Sequence, residues 1–364
     1  MGISALQQLE AFAYWRRQLL AAPGGQELWG LPEVVEAKLM NQAPLYALSG
    51  QKLDFYVEIP LCGQPQVDLS AQYFAEGFAN ANPLRGSALA QEGDFFHYYA
   101  KELLRLKPQL LRYCNLYLEA DIDGSDQLVD ENAKVASFIN LSGDFVEELL
   151  LAVLAYRGRL QQATRVNELL DSLKDYCEPW HFGFMESREE RQLRLVLILK
   201  QGLANLEEII QAIGAPSIPQ EGLELLRKID ALGIFKYMLD VDVLRDGSLG
   251  NMVGIEIIPQ NAVFPATQQA LVQTDAYAQL CELLQQAGLA DARIQNLSKT
   301  IMATPVDTCV DTYIYSRISH FKLRWQGGEP LPAKVYCQMR PVRKQQCLNE
   351  ALGYVKLFLS EGDQ

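Results

Sequence analysis

Apolar residues recur along this chain at two spacings, and the two spacings alternate. Residues 3–20 place Leu6, Leu9, Phe12 and Leu19 on one side of a helix, and Ala22–Gly25 breaks it. Pro32–Leu39 reads as a second, short helix. The period then changes. Over Lys52–Ile59, Leu53, Phe55, Val57 and Ile59 lie on one face of a strand, with Lys52, Asp54, Tyr56 and Glu58 on the other. Gln66–Leu69 is the expected partner strand. Gln72–Ala79 and Asp94–Leu106 are expected helices, with Pro83–Gly86 between them.

Asn115–Ile122 alternates again, Leu116, Leu118, Ala120 and Ile122 against Asn115, Tyr117, Glu119 and Asp121. Asp123-Gly124 turns the chain into a strand over Ala133–Leu141. Asp144–Tyr156 is an apolar helix opened by Asp144 and Glu147 at capping-box spacing, and Thr164–Tyr176 is another helix. Trp180–Glu186 and Gln192–Lys200 are strands about the charged turn Ser187–Arg191. Leu206–Ile213, with Asn205 as N-cap and Gly214 as stop, and Glu221–Leu232, stopped by Gly233, are helices. Ile234–Val243 and Asn251–Ile258 are strands about Arg245–Gly250. Ala266–Ala287 is helical, broken near Thr274 and stopped by Gly288, and Ala290–Lys299 is a short helix. Asp311–Met339 is a long hairpin turning at Gln326–Pro332, and Arg343–Leu359 closes the chain as a helix.

The order is helix, strand, strand, helix, repeated about five times without a repeated sequence motif. Hairpins separated by helix pairs are not βαβ units, which argues against a parallel doubly wound sheet. On several strands one parity is aliphatic and the other polar or aromatic, and helices need the aliphatic face to cover. The expected fold is therefore α+β, one domain over 1–364, with repeated α-β-β-α units closing into a ten-stranded antiparallel barrel. The helices lie outside, polar side chains point inward, and closure removes exposed edges. The other arrangement left open is two α+β domains, each an antiparallel sheet with helices on one face, split near Gln201.

Composition narrows the function classes. The 364 residues are 49% hydrophobic and 21% charged, ordinary for a globular chain. A net charge of -13 argues against broad binding to nucleic acid or anionic membrane, and leaves room for a local basic pocket. Seven cysteines at 62, 114, 177, 281, 309, 337 and 347, with no CxxC, point to buried thiols in a reducing cytoplasm. The N-terminal segment lacks the basic-then-apolar pattern of a secretory signal, and Leu6 breaks a myristoylation motif. The apolar runs Leu149–Leu154 and Leu195–Leu199 are too short to cross a bilayer.

The densest polar chemistry is in the last hairpin. His320, Lys322 and Arg324 share one parity of its first arm, and Lys334, Tyr336 and Gln338 share one parity of the second. Such a face is either solvated surface or the wall of a binding site.

In element order, length and face chemistry the chain resembles the ABBA aromatic prenyltransferases, whose repeated α-β-β-α units form a solvent-filled ten-stranded barrel. In the indole-prenylating branch, Arg, Lys and Tyr residues facing the lumen, often as K-x-Y or R-x-K-x-Y, hold an isoprenoid diphosphate. Here Lys334-Val335-Tyr336 matches K-x-Y, Lys236-Tyr237 matches it in part, and no R-x-K-x-Y is present. The resemblance implies a soluble transferase that moves a prenyl group from an isoprenoid diphosphate to an aromatic small molecule or a peptide side chain. Lys134, Arg194, Lys236, Lys322 and Lys334 would neutralise the diphosphate as the allylic C–O bond breaks. Tyr117 and Tyr336 would shield the allylic cation, with Tyr56, Tyr237, Tyr313 and Tyr315 as further aromatic candidates. Glu58, in the region where the indole branch keeps its acceptor-binding Glu, and Glu256 would orient the acceptor and take a proton, with Glu119 as an alternative.

No cofactor is required in this reading. Mg²⁺ bridging the diphosphate is the one candidate, through Asp240 with Asp242 or Glu119 with Asp121, and there is no DDxxD motif. His97, His181 and His320 are too dispersed in sequence for a zinc site, and GxGxxG, P-loop and GxSxG motifs are missing. Cys337 lies on an aliphatic parity and reads as packing. Two other functions share the pattern. One is a peptide-modifying or hydrolytic enzyme working through Glu119, Asp240, Asp242 and Glu256. The other is a non-catalytic accessory protein without a closed lumen, its Lys334–Gln338 face open to solvent.

Overall fold

In the computed structural model the aliphatic parities of the strands all face outward, and the sheet closes on itself. The structure describes residues 4–29, 31, 33–47, 54–64, 67–84, 89–122, 135–140, 146–186, 192–260, 265–309 and 311–344. The strands are β1 (Asp54–Pro60), β2 (Val67–Phe74), β3 (Asn115–Ile122), β4 (Ala136–Asn140), β5 (Cys177–Phe184) and β6 (Leu193–Leu199). They continue with β7 (Phe235–Val243), β8 (Leu249–Pro259), β9 (Met302–Pro305), β10 (Thr312–Gln326) and β11 (Glu329–Arg343). β1 to β8 pair in sequence order, β8 pairs with β10, β10 with β11, and β11 returns to β1, all antiparallel. Ten strands thus form a closed barrel. Beyond the reach of β8, the start of β10 is edged by β9 at Tyr313–Ser316. The sheet runs on from β6 to β7 across position 201, so the strands on either side of it belong to one sheet.

The helices cover the outside. They are α1 (Ala5–Ala21), α2 (Gly25–Trp29), α3 (Glu33–Tyr46), α4 (Ala90–Leu106), α5 (Val146–Tyr156), α6 (Ala163–Leu173), α7 (Leu206–Ile213), α8 (Gln220–Asp230), α9 (Pro265–Leu271) and α10 (Asp275–Gln286). The hydrophobic core is the layer between barrel and helices. Phe55, Val57, Leu69, Leu118, Leu239, Ile255 and Val335 enter it from the strands, and Phe12, Trp15, Phe96, Val166 and Leu226 from the helices. Cys337 is buried in the same layer, as its parity implied. No described helix is long and apolar enough to cross a membrane.

Several local expectations are corrected. Gln72–Ala79 was expected as a helix, but β2 runs through Phe74 and only Ala75–Phe78 is helical, of 3-10 type. Both faces of β2 are buried, Leu69, Ala71 and Tyr73 outward and Asp68, Ser70 and Gln72 inward, so burial does not follow polarity there. The helix expected over Pro32–Leu39 continues to Tyr46 past Pro44. Ala292–Thr300 is 3-10 rather than α. The break near Thr274 is real, and Thr274 caps α10 by accepting from the Tyr277 amide. The hairpin turn is tighter than Gln326–Pro332: Gly327 and Gly328 alone make it, both at positive φ (57° and 90°), as a two-residue primed turn requires. Lys134, the Asp144 cap, the turns Asp123-Gly124 and Ser187–Arg191, and the closing helix beyond Lys344 lie outside the described residues.

Candidate functional site

The barrel holds a cavity of about 470 Å³. It reaches the surface at one end, where Phe74 and Asn115 meet Arg112 and Tyr113, the latter 74% exposed. Its wall has two unlike halves. Along β8, β10, β11, β1 and β2 it carries Glu256, Arg317, Ser319, His320, Lys322, Tyr336, Gln338, Arg340, Tyr56, Ser70 and Gln72. Along β4 to β7 it carries Phe138, Trp180, His181, Arg194, Val196 and Met238, and Tyr117 and Glu119 on β3 stand at one seam.

Two strand irregularities decide which side chains reach the lumen. A bulge in β10 between Ile318 and His320 shifts the inward parity, so Arg317 and Ser319 line the cavity together with His320 and Lys322. A bulge in β5 between Pro179 and His181 likewise brings Trp180 and His181 to the same wall. Gly254 makes room for a crossing charge. A Cβ there would lie 3.1 Å from Asp240 Cβ and 3.3 Å from Lys322 Cε.

The cations of the wall are held from behind by carboxylates. Lys322 contacts Asp240 and lies 3.3 Å from Glu256. Arg194 grips Asp242 through two hydrogen bonds of 2.8 and 2.9 Å. Arg340 donates to Asp54 at 2.6 Å, and Arg317 donates to the amide oxygen of Gln338 at 2.5 Å. Asp54, Asp240 and Asp242 are not themselves part of the cavity lining. Burial opposes the charge on Lys322, but Asp240 and Glu256 outweigh it, so its pKa is raised. The same balance, with Asp242 dominant, raises that of Arg194. Burial, reinforced by Glu256, lifts Asp240 to about 6 even though Lys322 pulls it down.

Aromatic rings meet around the lumen. His320 stacks on Tyr336 with centroids 4.1 Å apart, Tyr56 meets Tyr117 edge-on at 5.9 Å, and Tyr117 meets His181 edge-on at 4.9 Å. Burial first, and then the coupling to a second titrating imidazole for His181 and to the Lys322 charge for His320, drops both imidazoles to about 3, so both are neutral at pH 7. Burial raises the Tyr56 and Tyr117 phenols, which stay protonated. The three histidines, dispersed in sequence, do not all stay apart: His181 and His320 share this cavity, while His97 sits against the Phe78 carbonyl. Among the described residues, no three His, Cys, Asp or Glu side chains converge in a metal-holding group.

Of the residues singled out from sequence, Arg194, Lys322, Glu256, Glu119, Tyr56, Tyr117 and Tyr336 line the cavity. Lys334 does not. It faces inward deeper in the barrel, in contact with Glu58 and 3.2 Å from Asp68, and neither it nor Glu58 is in the lining. Burial pulls Lys334 down to about 8, which leaves it charged at neutral pH beside those carboxylates. Lys236 is exposed near the barrel rim, and Tyr237 packs outward in the core. Tyr313 and Tyr315 are not in the lining. Lys134 lies outside the described residues, as do the surroundings of Asp121. Arg317 and Trp180 were missed by the sequence reading because the two bulges move them onto the inner face, whereas His181, opposite in parity to the outward Phe182, was weighed only as a metal ligand.

Similarity to solved structures covers the whole barrel. AnaPT from Neosartorya fischeri matches with a TM-score of 0.57 at 11% identity, over 93% of this chain and 94% of its own. The fold is that of the ABBA prenyltransferases. NotF, in complex with brevianamide F and DMSPP, matches this PT barrel with a TM-score of 0.52 at 12% identity, over 88% of this chain and 91% of its own. The apo form of the prenyltransferase PriB matches with a TM-score of 0.51 at 13% identity, over 91% and 96%. No protein-family model and no curated protein sequence matches the chain.

Proposed function

We propose that this PT barrel is an enzyme that transfers a prenyl group from an isoprenoid diphosphate to an aromatic acceptor, a small molecule or a peptide side chain, inside the lumen. The observation that carries the reading is the charge of the cavity wall. Its described lining holds Arg112, Arg194, Arg317, Lys322 and Arg340 against Glu119 and Glu256, in a chain whose net charge is -13. An acidic protein that turns its cations inward is built to receive an anion there. The carboxylates behind the wall fix the cations in place and weaken part of their field, but each guanidinium keeps N–H donors for a ligand.

In this reading the diphosphate lies against β10 and β11, with Arg317, Arg340 and Lys322 at its oxygens and the Tyr336 hydroxyl as a further donor, the Tyr56 hydroxyl being committed to Gln72 at 2.6 Å. As the allylic C–O bond breaks, the electron pair leaves with the diphosphate, and the wall stabilises the charge. The ring faces of Tyr117 and Tyr336 then stabilise the allylic cation without capturing it. The acceptor ring forms the new C–C bond and passes its surplus proton to Glu256, which Lys322 holds in place at 3.3 Å. The wall's own cations carry the charge balance, so Mg²⁺ is not required. Lys334 and Glu58 brace the barrel below the cavity. The structure of NotF with brevianamide F and DMSPP, on the same fold, supports this pairing of ligands.

The test is calorimetric titration with dimethylallyl and geranyl thiolodiphosphates, with and without Mg²⁺, on wild type and Arg317→Ala. Saturable binding without Mg²⁺ that weakens in the variant is expected. No binding of either compound under either condition sinks the reading.

A further inference from the structure

Three carboxylates stand behind the cavity wall, and one of them is held differently from the other two. Asp54 accepts from the Arg340 guanidinium at 2.6 and 2.7 Å and from the Gln338 amide. Asp242 accepts from Arg194 at 2.8 and 2.9 Å and from the Gln192 amide at 3.3 Å. Asp240 is buried as deeply, but apart from Lys322 neither of its oxygens has a hydrogen-bond partner among the described residues. One ammonium holds it, and that ammonium also lies 3.3 Å from Glu256 on the cavity wall. Lys322 therefore stands between a carboxylate that faces the cavity and one that does not.

The backbone makes room for this bridge. Gly254 lies opposite Asp240, and a Cβ there would sit 3.1 Å from Asp240 Oδ2 and 3.3 Å from Lys322 Cε. An ammonium has three N–H donors: one serves Asp240, one Glu256, and the third is left for an anion in the cavity. One cation between two carboxylates leaves one negative charge in excess. Away from water, such a triad takes up a proton more readily than an isolated carboxylate, and it titrates as a unit. The other groups facing Asp240 do not supply the missing charge. Arg194, on β6, is committed to Asp242, and His320, on β10, is neutral. Burial first, and Glu256 with it, lifts Asp240 to about 6, in the range where a base both accepts a proton and holds it.

We propose that Asp240 is the seat of the proton released by prenyl transfer, outside the cavity and reached through Lys322. The inference rests on the prenyl-transfer reading and says where the proton goes after Glu256. The acceptor's C–H bond breaks and its proton passes to Glu256. Glu256 gives that proton to Lys322 as Lys322 gives one of its own to Asp240. Lys322 ends as the ammonium, Glu256 as the carboxylate and Asp240 as the carboxylic acid, so the excess negative charge of the triad is cancelled. The basic group facing the cavity is restored, and the prenylated ring has no acid beside it to return the proton. Asp240 touches no ligand; it is a positioning residue that acts on the proton through Lys322.

The test follows isotope-labelled aspartate carboxyl groups by NMR from about pH 4 to 9 in wild type, Asp240→Asn and Glu256→Gln. One aspartate should titrate near 6 in wild type and be missing from Asp240→Asn. In Glu256→Gln it should move to lower pH, because a charge that raises it is gone. Turnover of dimethylallyl diphosphate with indole gives the second readout. The wild-type kcat should rise with pH to a plateau above about 6. Asp240→Asn should lose that inflection and lower the plateau about tenfold, since Brønsted behaviour returns part of a lost proton affinity as lost rate. The proposal falls if Asp240 stays ionised down to the ordinary carboxylate range, if its titration ignores Glu256→Gln, or if Asp240→Asn keeps the inflection, as a merely structural brace would. The titration needs no acceptor, so it decides on the triad by itself; absence of thiolodiphosphate binding is a different result, which removes the prenyl-transfer reading.

Discussion

The two halves of the cavity wall come from the same kind of hairpin and are held by different physics. On the β8–β10–β11–β1 side, charged side chains are anchored by carboxylates standing behind the wall, as Asp240 anchors Lys322 and Asp54 anchors Arg340. On the β4–β7 side, Arg194 with Asp242 behind it is the exception, and shape does the rest: Phe138, Val196 and Met238 need neighbours but no partners. The polar half is therefore expensive to disturb and already organised before any ligand enters, whereas the apolar half can be recut at low cost.

The largest expected effect tests that contrast directly. Lys322→Met leaves Asp240 and Glu256 with an uncompensated buried charge and should cost about 3–5 kcal/mol in urea unfolding at pH 7. Lys334→Met should cost a similar amount, because it uncovers Glu58 and Asp68. The two should separate on ligand affinity. Lys322→Met should weaken thiolodiphosphate binding, and Lys334→Met should leave it unchanged in the folded protein, since Lys334 is not on the wall. Equal loss in both variants would place the diphosphate deeper in the barrel than the cavity described here.

Arg317→Ala comes next. Its guanidinium reaches the cavity with an amide, Gln338, as a hydrogen-bond partner. Losing one charge-assisted hydrogen bond to a diphosphate corresponds to about 1.5–3 kcal/mol, or roughly 10- to 150-fold in Kd. An effect below twofold would move the anion site away from β10.

These contrasts also show how much of the molecule is written in its residues. Period and parity were enough for the hairpins, the covering helices and the closed barrel, and they put Arg194, Lys322, Glu256, Tyr117 and Tyr336 on the inner face. Parity failed where a bulge reverses it: no residue type around Ile318–His320 announces one, and Pro179, which cannot donate to the ladder, is the one sign of the bulge in β5. Arg317 and Trp180 were lost for that reason. Depth along the barrel axis was equally invisible. Lys334 has the right parity and sits in the K-x-Y pattern, yet its register, Pro60 opposite Lys334 and Glu58 opposite Tyr336, sets it among carboxylates below the cavity. Register depends on pairing between segments hundreds of residues apart, which local pattern does not record.

Acid sensitivity is expected to come from both halves. His181 and His320 titrate near 3 when folded and at the ordinary 6.5 when unfolded, so between those values the unfolded chain binds two more protons, and stability falls as pH drops. Asp240 acts in the opposite sense. Its folded pKa of about 6 lies above the ordinary value of 3.8, so it binds one more proton when folded and gains stability over that window. The sum from about pH 6 to 4 is one net proton taken up on unfolding, a loss on the order of 1 kcal/mol per pH unit from these three groups. Urea midpoints measured at pH 7, 6, 5 and 4 should show it. His320→Phe should flatten the slope, and an unchanged slope would mean that the imidazole is already satisfied in the folded state.

The smallest expected effect belongs to the apolar half and is the most selective. Gly183 faces Phe138 across β5 and β4, and a Cβ there would lie 2.4 Å from Phe138 Cε1. The clash is with the end of a side chain rather than with backbone, so the ring can yield by swinging into the lumen. Gly183→Ala should then cost only about 1 kcal/mol in stability, at the low end for overpacking. It should weaken an aromatic acceptor severalfold by narrowing the recess before His181. Thiolodiphosphate affinity, set on the opposite wall, should not change. If both ligands weakened together, the halves would not be independent, and the cavity would have to be treated as one site whose polar and apolar walls move as a unit.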